Sequence, residues 1–269
     1  MPPVALFVSD IDGCLATPYQ PYDLTRLQAL ADHAEAAGAL RDDGTPATAR
    51  PALTLCSGRP YPYVEAMAQT LGLVTPVLFE SGAGRFDPVA AQTTWHPALT
   101  DALHEQLDEM RAWFRAEAVP GTQISLDHAK RAQAGIVSPD PSDIEAVRPR
   151  ALAFVENRLP DLTLFTTDVS IDVLSPQITK RAGLEWLGAH LSVPLSAMAY
   201  IGDTDGDIDA LESVGHSFAP ANADEPVRAC VDTVTEASVA AGTCAAYAAC
   251  IARNKITCNK ADRPVSASS

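Results

Sequence analysis

Two carboxylates, Asp10 and Asp12, closely follow the apolar residues 4–8. A short apolar run before polar turn residues is typical of a buried parallel strand, and ligands of α/β proteins bind at the carboxyl ends of such strands. At a separation of about 4 Å and an effective dielectric constant of ~20, two ionised carboxylates repel each other by roughly 4 kcal/mol. A fold keeps such a pair where a cation, a shared proton or a reaction requires it, although Asp-x-Asp-Gly also forms ordinary turns.

Two further apolar runs end in polar residues in the same way. Residues 52–56 precede Ser57, and residues 198–201 precede Asp203 and Asp207. If the three strands are parallel neighbours, their carboxyl ends meet at one edge of the sheet, where the four aspartates share a crevice with the Ser57 hydroxyl. Such a cluster of oxygen ligands suits Mg²⁺, a hard cation. The sequence therefore predicts a magnesium site at this edge.

The elements that must position these residues alternate between strand and helix, as in a doubly wound, mostly parallel α/β sheet. In the first third of the chain, the patterns predict helices at 24–34 and 60–71, a strand at 77–79 and a hairpin at 85–95. Asp23 is placed to cap the first of these helices.

The middle of the chain has a different pattern. Its predicted elements are, in order, a helix at 99–118, strands at 123–126 and 133–137, a helix at 143–159, and strands at 162–166 and 170–174. One helix and two strands, repeated, predict a small α+β domain at residues 97–175. This domain would be inserted into a core domain of residues 1–96 and 176–258, and the polar residues 259–269 are predicted to be disordered.

Composition narrows the class of partner. The chain has 269 residues, of which 47% are hydrophobic, and a net charge of −15, so it can bury one large core or two moderate ones. The basic residues form no long run, which argues against nucleic-acid binding. Residues 238–252 are Ala-rich but too short to span a membrane, and the amino terminus lacks the basic region of a signal peptide. A monomer and a homodimer both remain possible.

The cysteines give little support to a zinc site, because none belongs to a C-x-x-C pair. We expect six reduced thiols in a cytoplasmic protein. They are Cys14, Cys56, Cys230, Cys244, Cys250 and Cys258.

Taken in order, these motifs resemble those of the haloacid dehalogenase (HAD) superfamily, in the Cof-like branch (type IIB) with a large α+β cap. The four matching segments are Asp10-Ile11-Asp12-Gly13, Leu55-Cys56-Ser57-Gly58-Arg59, Lys180 with its neighbours, and Gly202-Asp203-Thr204-Asp205-Gly206-Asp207. The resemblance covers nearly the whole chain. Two departures are Ser81, where many relatives have Asn, and Arg181, where Gly often follows the lysine; neither removes a reacting group.

The resemblance implies an Mg²⁺-dependent phosphatase that forms an aspartyl-phosphate. Asp10 would be the nucleophile, and Asp12 would protonate the leaving oxygen and then deprotonate the attacking water. Asp10, the backbone carbonyl of Asp12 and Asp203 would hold the metal, with Asp207 ligating it or orienting a bound water. The expected phosphate contacts are Ser57, Gly58, Lys180 and Asn222. For Lys180 the alternative is a solvated surface lysine, and for Ser57 a simple helix cap.

Substrate contacts are expected from residues 97–175, because the cap of such enzymes covers the reacting centre. The segment 127–131 concentrates cationic groups, which either grip a second anionic group or sugar hydroxyls, or form a solvated loop. The candidates are Arg59, Arg85, His128, Lys130 and Arg131. Phosphoglycolate, phosphoglycerate derivatives and sugar phosphates all fit as the small phosphorylated metabolite.

Two alternatives to a phosphatase are a phosphomutase of the same superfamily and a phospho-receiver signalling domain. The mutase would keep these motifs and return the phosphoryl group to a sugar. The receiver is disfavoured because its acidic pair would not share the first strand with the nucleophile.

Overall fold

The computed structural model of the chain describes residues 3–261, in which strands and helices alternate. The strands are β1 (Leu6–Ser9), β2 (Ala52–Leu55), β3 (Val77–Phe79), β4 (Gly84–Asp87), β5 (Gln92–Trp95), β6 (Ser125–Leu126), β7 (Ala134–Val137), β8 (Thr163–Thr166), β9 (Ser170–Leu174), β10 (Met198–Ile201), β11 (His216–Ala219) and β12 (Thr233–Val234). The α-helices are α1 (Leu24–Ala37), α2 (Tyr61–Thr70), α3 (Asp101–Trp113), α4 (Pro141–Arg158), α5 (Lys180–Leu191), α6 (Ile208–Ser213), α7 (Glu225–Cys230) and α8 (Val239–Ala261).

The central sheet is parallel throughout, with the strand order β12-β11-β10-β1-β2. Strand β1 therefore lies between β10 and β2, as predicted for the three strands that carry the polar motifs. Ser9, at the end of β1, pairs with Ile201 of β10 and with Leu55 of β2. Because the three strands end in register, the residues that follow them emerge together at one edge of the sheet.

Helices cover both faces of this sheet, which explains why its three central strands, β10, β1 and β2, are buried throughout and mostly apolar. Phe7 packs in a cluster with residues of α1, α2 and α8, whereas its neighbours Leu6 and Val8 pack in a cluster with residues of α5 and α6. Helix α8 is tied to the start of β1 by Asn254, whose side-chain amide exchanges two hydrogen bonds of 2.8 Å with the backbone of Val4. The predicted doubly wound α/β class is confirmed.

A second sheet, β3-β4-β5, is antiparallel and contains the predicted hairpin. An isolated parallel bridge between Cys56 and Leu78 joins β3 to the end of β2. The turn that follows β3 therefore reaches the same edge of the central sheet as the end of β2.

A third sheet, β6-β7-β9-β8, is antiparallel and packs against α3 and α4. Its apolar cluster consists of residues between 103 and 173, together with Ala83 and Ile178. The helix predicted at 99–118 is observed as α3 followed by a π-helical segment, Phe114–Ala118, and the first predicted strand is reduced to the two residues of β6. The domain boundaries at 97 and 175 stay predictions.

The helix starts follow local capping chemistry. The Asp23 side chain accepts a hydrogen bond of 3.1 Å from the Arg26 backbone N–H at the start of α1, as predicted. Thr179 does the same for α5, with 3.2 Å to the Ala182 N–H, which makes Lys180 the first helical residue.

The carboxyl end of the described chain is helical. Helix α8 extends to Ala261, so residues 259–261 of the predicted tail lie within it, and residues 262–269 lie outside the described residues. Within residues 3–261, no helix combines the length and the apolar character that a membrane crossing requires.

Candidate active site

Three aspartates that lie far apart in sequence meet at the carboxyl edge of the central sheet. Asp10 directly follows β1, and Asp203 and Asp207 follow β10. One carboxylate oxygen from each lies within 4.8 Å of the others. The predicted convergence of these strand ends is thus what the structure shows, since β1 and β10 are paired neighbours.

Lys180, from the first turn of α5, is buried among these aspartates. Its Nζ lies 2.7 Å from Asp10 Oδ2 and 2.6 Å from Asp207 Oδ1. Burial alone would lower the pKa of Lys180, but the two carboxylates outweigh it and raise the pKa well above its usual value. The lysine is therefore a charged, buried group, and the alternative of a solvated surface lysine does not apply.

The position of α5 depends on a close approach between two glycines. Gly82, in the turn after β3, has a φ of +92°, and a Cβ added to it would lie 2.7 Å from the Gly183 Cα of α5. A side chain at either glycine would push α5, and with it Lys180, away from the sheet edge.

The carboxylate of Asp207 is saturated with donors. Its Oδ1 accepts from Lys180 Nζ and from the Tyr200 hydroxyl, at 2.6 and 2.5 Å. Its Oδ2 accepts from the Asp203 N–H and from the backbone and hydroxyl of Thr204, at 3.1–3.2 Å. Burial would raise the pKa of Asp207, yet Lys180 and these hydrogen bonds lower it. Because a carboxylate has about four lone-pair sites, this geometry favours Asp207 as the residue that orients Lys180 rather than as a direct metal ligand.

Asp203 has the opposite surroundings. Among the described residues, the one hydrogen bond to its carboxylate comes from the Cys14 thiol, with Sγ 4.0 Å from Oδ1. Burial, and then the charges of Asp10 and Asp207, raise the pKa of Asp203 to about 8. The pKa of Asp10 is raised to about 6, chiefly by burial and against the opposing effect of Lys180.

The loop after β1 comes so close to Asp203 that only glycine fits. Gly13 has a φ of +70°, and a Cβ built on it would lie 1.7 Å from Asp203 Oδ2. The backbone around Gly13 thus forms one wall of the acidic site.

Asp12 is held by an arginine that follows β2. Arg59 Nε and a terminal guanidinium nitrogen lie 2.6 and 2.8 Å from the two Asp12 carboxylate oxygens. The guanidinium carbon also lies 4.8 Å from the Tyr63 ring centre and 5.4 Å from that of Tyr19. Donation of hydrogen bonds to Asp12 raises the pKa of Arg59 further, so the arginine stays charged. Arg59, predicted as a substrate contact, is thus engaged with the predicted acid–base residue.

Ser57 and Gly58 begin the turn after β2, as expected for phosphate contacts. Ser57 is buried, and its Oγ accepts a hydrogen bond of 3.3 Å from the Arg59 N–H. Ser81 Oγ would be 3.5 Å from a Cβ added to Gly58, and the Ser81 N–H donates to the Ser57 carbonyl at 2.9 Å, so the turns after β2 and β3 are in contact. Gln133 reaches from the third sheet to Ser81, with 3.5 Å between Nε2 and Oγ.

Asn222 braces the loop after β1 rather than joining the carboxylates. Its amide nitrogen donates to the Gly13 carbonyl at 3.0 Å, and its amide oxygen accepts from the Val239 N–H at 2.8 Å. Thr243 supports the same loop through a 2.6 Å hydrogen bond to the Cys14 carbonyl. A direct phosphate contact from Asn222 stays a prediction.

Glu80 connects the third sheet to this edge, and the sequence reasoning missed it. The residue is buried with a φ of +48°. Its carboxylate accepts hydrogen bonds of 2.6–3.0 Å from the backbone N–H groups of Arg131 and Ala132. Burial nevertheless raises its pKa. The sequence feature that could have identified Glu80 is its position as a charged residue immediately after the apolar strand β3.

The predicted cations of the middle segment have separate surroundings. Lys130 Nζ is 2.8 Å from Asp172 Oδ1 and 3.9 Å from Asp127 Oδ2. The Arg131 guanidinium carbon lies 5.8 Å from the Trp95 ring centre, and His128 is exposed. In the loop between β6 and β7, carboxylates therefore neutralise Lys130. Arg131 forms no ion pair with a carboxylate among the described residues.

The structure does not bring Arg85 to the acidic cluster. Its guanidinium carbon lies 4.6 Å from the Trp186 ring centre, because β4 turns this side chain toward α5. A substrate contact from Arg85 stays a prediction.

Two of the buried thiols lie beside the site. Burial, and then the charge of Asp203, raise the pKa of Cys14, and burial raises that of Cys56, so both are protonated rather than nucleophilic. The cysteines whose side chains are described are all free thiols, and the Cys258 side chain lies outside that set.

Sequence comparison identifies related proteins. A family model described as haloacid dehalogenase-like hydrolase matches residues 99–244, more than half of the chain. The phosphoglycolate phosphatase of Natronomonas pharaonis is 23% identical over 256 residues, which cover 89% of this chain and 94% of that protein. The phosphoglycolate phosphatase of Halorubrum lacusprofundi is 25% identical over 255 residues, which cover 90% and 94%.

Solved structures share the fold. Thermoplasma acidophilum 0175 superposes with a TM-score of 0.69 at 21% identity, over 92% of this chain and 98% of that one. The sucrose-phosphatase of Synechocystis sp. PCC6803, solved with sucrose and phosphate, gives a TM-score of 0.63 at 17% identity, over 92% and 98%. At these identities the likeness establishes the architecture.

Proposed function

This chain belongs to the haloacid dehalogenase-like hydrolases, and on that premise we propose that it is a phosphatase that hydrolyses a small phosphate monoester. The reaction would pass through a covalent phosphoenzyme on Asp10. One observation carries the proposal: Lys180 holds the buried Asp10 carboxylate beside that of Asp203, at the sheet edge where α/β proteins bind ligands. This arrangement presents a restrained carboxylate oxygen to an incoming phosphoryl group.

We propose that Mg²⁺ completes the site. The carboxylates of Asp10, Asp203 and Asp207 with the ammonium of Lys180 would carry a net charge of −2 when ionised, which a divalent cation balances. Burial, and then the charges of Asp10 and Asp207, raise the pKa of Asp203, and a divalent cation beside these carboxylates would offset that repulsion. Asp10, the backbone carbonyl of Asp12 and Asp203 would hold the ion. When bound, Mg²⁺ neutralises charge on the phosphoryl oxygens.

The first half of the reaction transfers the phosphoryl group to the chain. A carboxylate oxygen of Asp10 bonds to phosphorus while the bond between phosphorus and the ester oxygen breaks. Asp12 gives its proton to the departing oxygen. Lys180 directs two donors at Asp10 and Asp207, and its third N–H is available to a phosphoryl oxygen.

The second half restores the chain. A water oxygen bonds to phosphorus, Asp12 takes a proton from that water, and the bond between phosphorus and Asp10 breaks to release inorganic phosphate. Arg59 fixes the Asp12 carboxylate through both oxygens. We therefore expect Asp12 to exchange one of these two hydrogen bonds for the leaving oxygen, while the other keeps it in place.

For the substrate we propose phosphoglycolate or a closely related phosphorylated carboxylic acid. Two relatives that match along almost their whole length carry the name phosphoglycolate phosphatase. Arg131 is the candidate partner for the substrate carboxylate, because its backbone is pinned to the core by Glu80 and its guanidinium has no ion pair among the described residues. Lys130 is less suited, because two carboxylates already surround it.

The test measures inorganic phosphate released from phosphoglycolate, phosphoglycerate, glucose phosphate and ribose phosphate, with Mg²⁺ and with a chelator. We expect Mg²⁺-dependent release, with the highest kcat/KM for phosphoglycolate. Asp10→Asn should abolish it, and Asp205→Asn, an exposed aspartate of the same loop as Asp203, should not. Near-normal turnover by Asp10→Asn would refute the proposed nucleophile. Release without a bisphosphate activator separates a phosphatase from a phosphomutase.

A second comparison tests the substrate contact. Arg131→Ala should raise KM for phosphoglycolate at least ten-fold more than KM for a sugar phosphate, at roughly 1.4 kcal/mol per ten-fold. If neither Arg131→Ala nor Lys130→Ala changes kcat/KM for any ester of the panel, the loop does not grip the substrate.

A further inference from the structure

Tyr200 is the third residue of β10 and is completely buried. Its hydroxyl lies 2.5 Å from Asp207 Oδ1, the same oxygen that accepts from Lys180. We propose that Tyr200 is a positioning residue for the nucleophile: it fixes the Asp207 carboxylate, which fixes the Lys180 ammonium against Asp10. This inference rests on the proposed function, since the group being positioned is the proposed nucleophile.

The Tyr200 ring is surrounded by apolar side chains. The other residues of β10 are Met198, Ala199 and Ile201, and Tyr200 packs in the cluster with Val8 and residues of α5 and α6. An apolar side chain would fill this space without a polar group that needs a partner. A buried hydroxyl is costly unless it is hydrogen-bonded, and here its acceptor is a carboxylate of the site.

The two oxygens of Asp207 are fixed from different directions. Oδ2 is held by the loop that follows β10, through the Asp203 and Thr204 backbone. Oδ1 is held from within the sheet by Tyr200 and from α5 by Lys180. The hydrogen bond from the Tyr200 hydroxyl thus fixes the position of Asp207 Oδ1 independently of Lys180.

Removal of the Tyr200 hydroxyl should shift the Lys180 ammonium between its two acceptors, Asp10 and Asp207. In Tyr200→Phe, Lys180 becomes the principal donor to Asp207 Oδ1, so its hydrogen bond to Asp207 should strengthen at the expense of the bond to Asp10. We expect kcat to fall about ten-fold. KM should change less than about two-fold, because Ser57 and the loop of Arg131 are untouched.

Tyr247 provides a matched control. It is also completely buried, and its hydroxyl donates a 2.6 Å hydrogen bond to the Pro51 carbonyl, outside the acidic cluster. Tyr247→Phe deletes the same atom and loses a comparable bond. It should reduce stability without the fall in kcat.

The experiment compares kcat and KM of the wild-type chain, Tyr200→Phe and Tyr247→Phe on the best ester of the panel, with circular dichroism to verify folding. The second readout is the ¹⁵N resonance of the Lys180 ammonium in the metal-free protein, identified by its loss in Lys180→Met. The proposal expects this resonance to shift in Tyr200→Phe only. Equal kcat values and an unshifted resonance in Tyr200→Phe would overturn it.

A third measurement does not depend on the folding of Tyr200→Phe. In protein labelled at the tyrosine Cζ carbons, Lys180→Met should shift the signal of one buried tyrosine, because the two donors share Asp207 Oδ1. No shift in any tyrosine signal would contradict the proposal. If the wild-type chain releases phosphate from no ester, the proposed function fails, and the two spectroscopic comparisons then decide whether Tyr200 positions Lys180.

Discussion

Replacement of Asp203 by asparagine should stabilise the metal-free protein at alkaline pH, although it removes a residue of the proposed site. In the folded chain the pKa of Asp203 is raised from 3.8 to about 8, by burial and by the charges of Asp10 and Asp207. The folded protein therefore keeps this proton up to about pH 8, whereas the unfolded chain releases it near the usual value. Between those limits the folded state binds more protons, so the free energy of unfolding falls as pH rises.

The size of this effect follows from the two pKa values. Each pH unit between 3.8 and about 8 corresponds to ~1.4 kcal/mol, which gives at most roughly 6 kcal/mol. Because water reaches part of this carboxylate, we expect about half of that amount, ~3 kcal/mol. Asp203→Asn should thus match the wild-type chain near pH 4 and exceed its stability by about 3 kcal/mol above pH 8 when metal is absent.

Urea unfolding followed by circular dichroism, with and without Mg²⁺, provides the assay. Mg²⁺ should stabilise the wild-type chain by about 2.7 kcal/mol at a hundred times its Kd, and it should stabilise Asp203→Asn far less. Asp205→Asn, the exposed control, should behave as the wild-type chain under both conditions. A metal-free Asp203→Asn protein that is less stable than the wild-type chain at high pH, or an equal gain from Mg²⁺ in both, would refute the reasoning.

Three further predictions concern the walls of the site. Gly13→Ala should abolish Mg²⁺ binding measured by calorimetry, because its Cβ would lie 1.7 Å from Asp203 Oδ2; unchanged affinity would contradict the tight approach. Arg59→Gln should lower kcat for phosphate release about ten-fold, because Asp12 loses both guanidinium contacts; Arg41→Gln, at an exposed arginine, is its control, and an unchanged kcat in Arg59→Gln would show that Asp12 does not depend on these contacts. Glu80→Ala should cost about 1–3 kcal/mol in urea unfolding, because it leaves the Arg131 and Ala132 N–H groups without their acceptor; a loss within experimental error would show that these groups find other partners.

The three strands that carry the polar motifs were predictable because each gave a local signal, whereas β11 and β12 were not predicted. The apolar runs before Asp10, Ser57 and Asp203 predicted three parallel strands, and the register of β1 with β2 and β10 confirms that they are neighbours. Their carboxyl ends could be placed at one edge because parallel strands share a direction. The contact of Lys180 with Asp10, 170 positions away in sequence, had no such local signal. Its prediction came from the family resemblance.

The contacts that modify the site were not predictable from single residues. Arg59 lies two residues beyond Ser57, and its spacing does not reveal that it binds Asp12 instead of substrate. Tyr200 in an apolar strand is compatible with any core position, and only the structure shows its hydroxyl on Asp207. Such contacts depend on side-chain direction and on the distance between elements, which sequence patterns of strand and helix do not specify.

In the middle segment too, the order of helices and strands was predictable, whereas the side-chain contacts were not. The sequence order of one helix and two strands, repeated, is observed as α3-β6-β7-α4-β8-β9. The sequence did not predict that Glu80 binds the loop between β6 and β7. This glutamate lies in a turn 51 residues before Arg131, from whose N–H it accepts a hydrogen bond. Long-range polar contacts of this kind determine which cations of the loop remain available to substrate.

Chemical trapping of the phosphoenzyme tests the central claim, that Asp10 attacks phosphorus. The Asp12→Asn variant is mixed with Mg²⁺ and 4-nitrophenyl phosphate, whose leaving group departs without a proton from Asp12, so that the intermediate forms but is hydrolysed slowly. The sample is quenched within milliseconds and treated with borohydride, which reduces an acyl phosphate to an alcohol. Mass spectrometry of the peptide that contains residue 10 should then show homoserine in place of Asp10. Unmodified Asp10 in a sample that has released phosphate, or the label on another residue, would contradict the account.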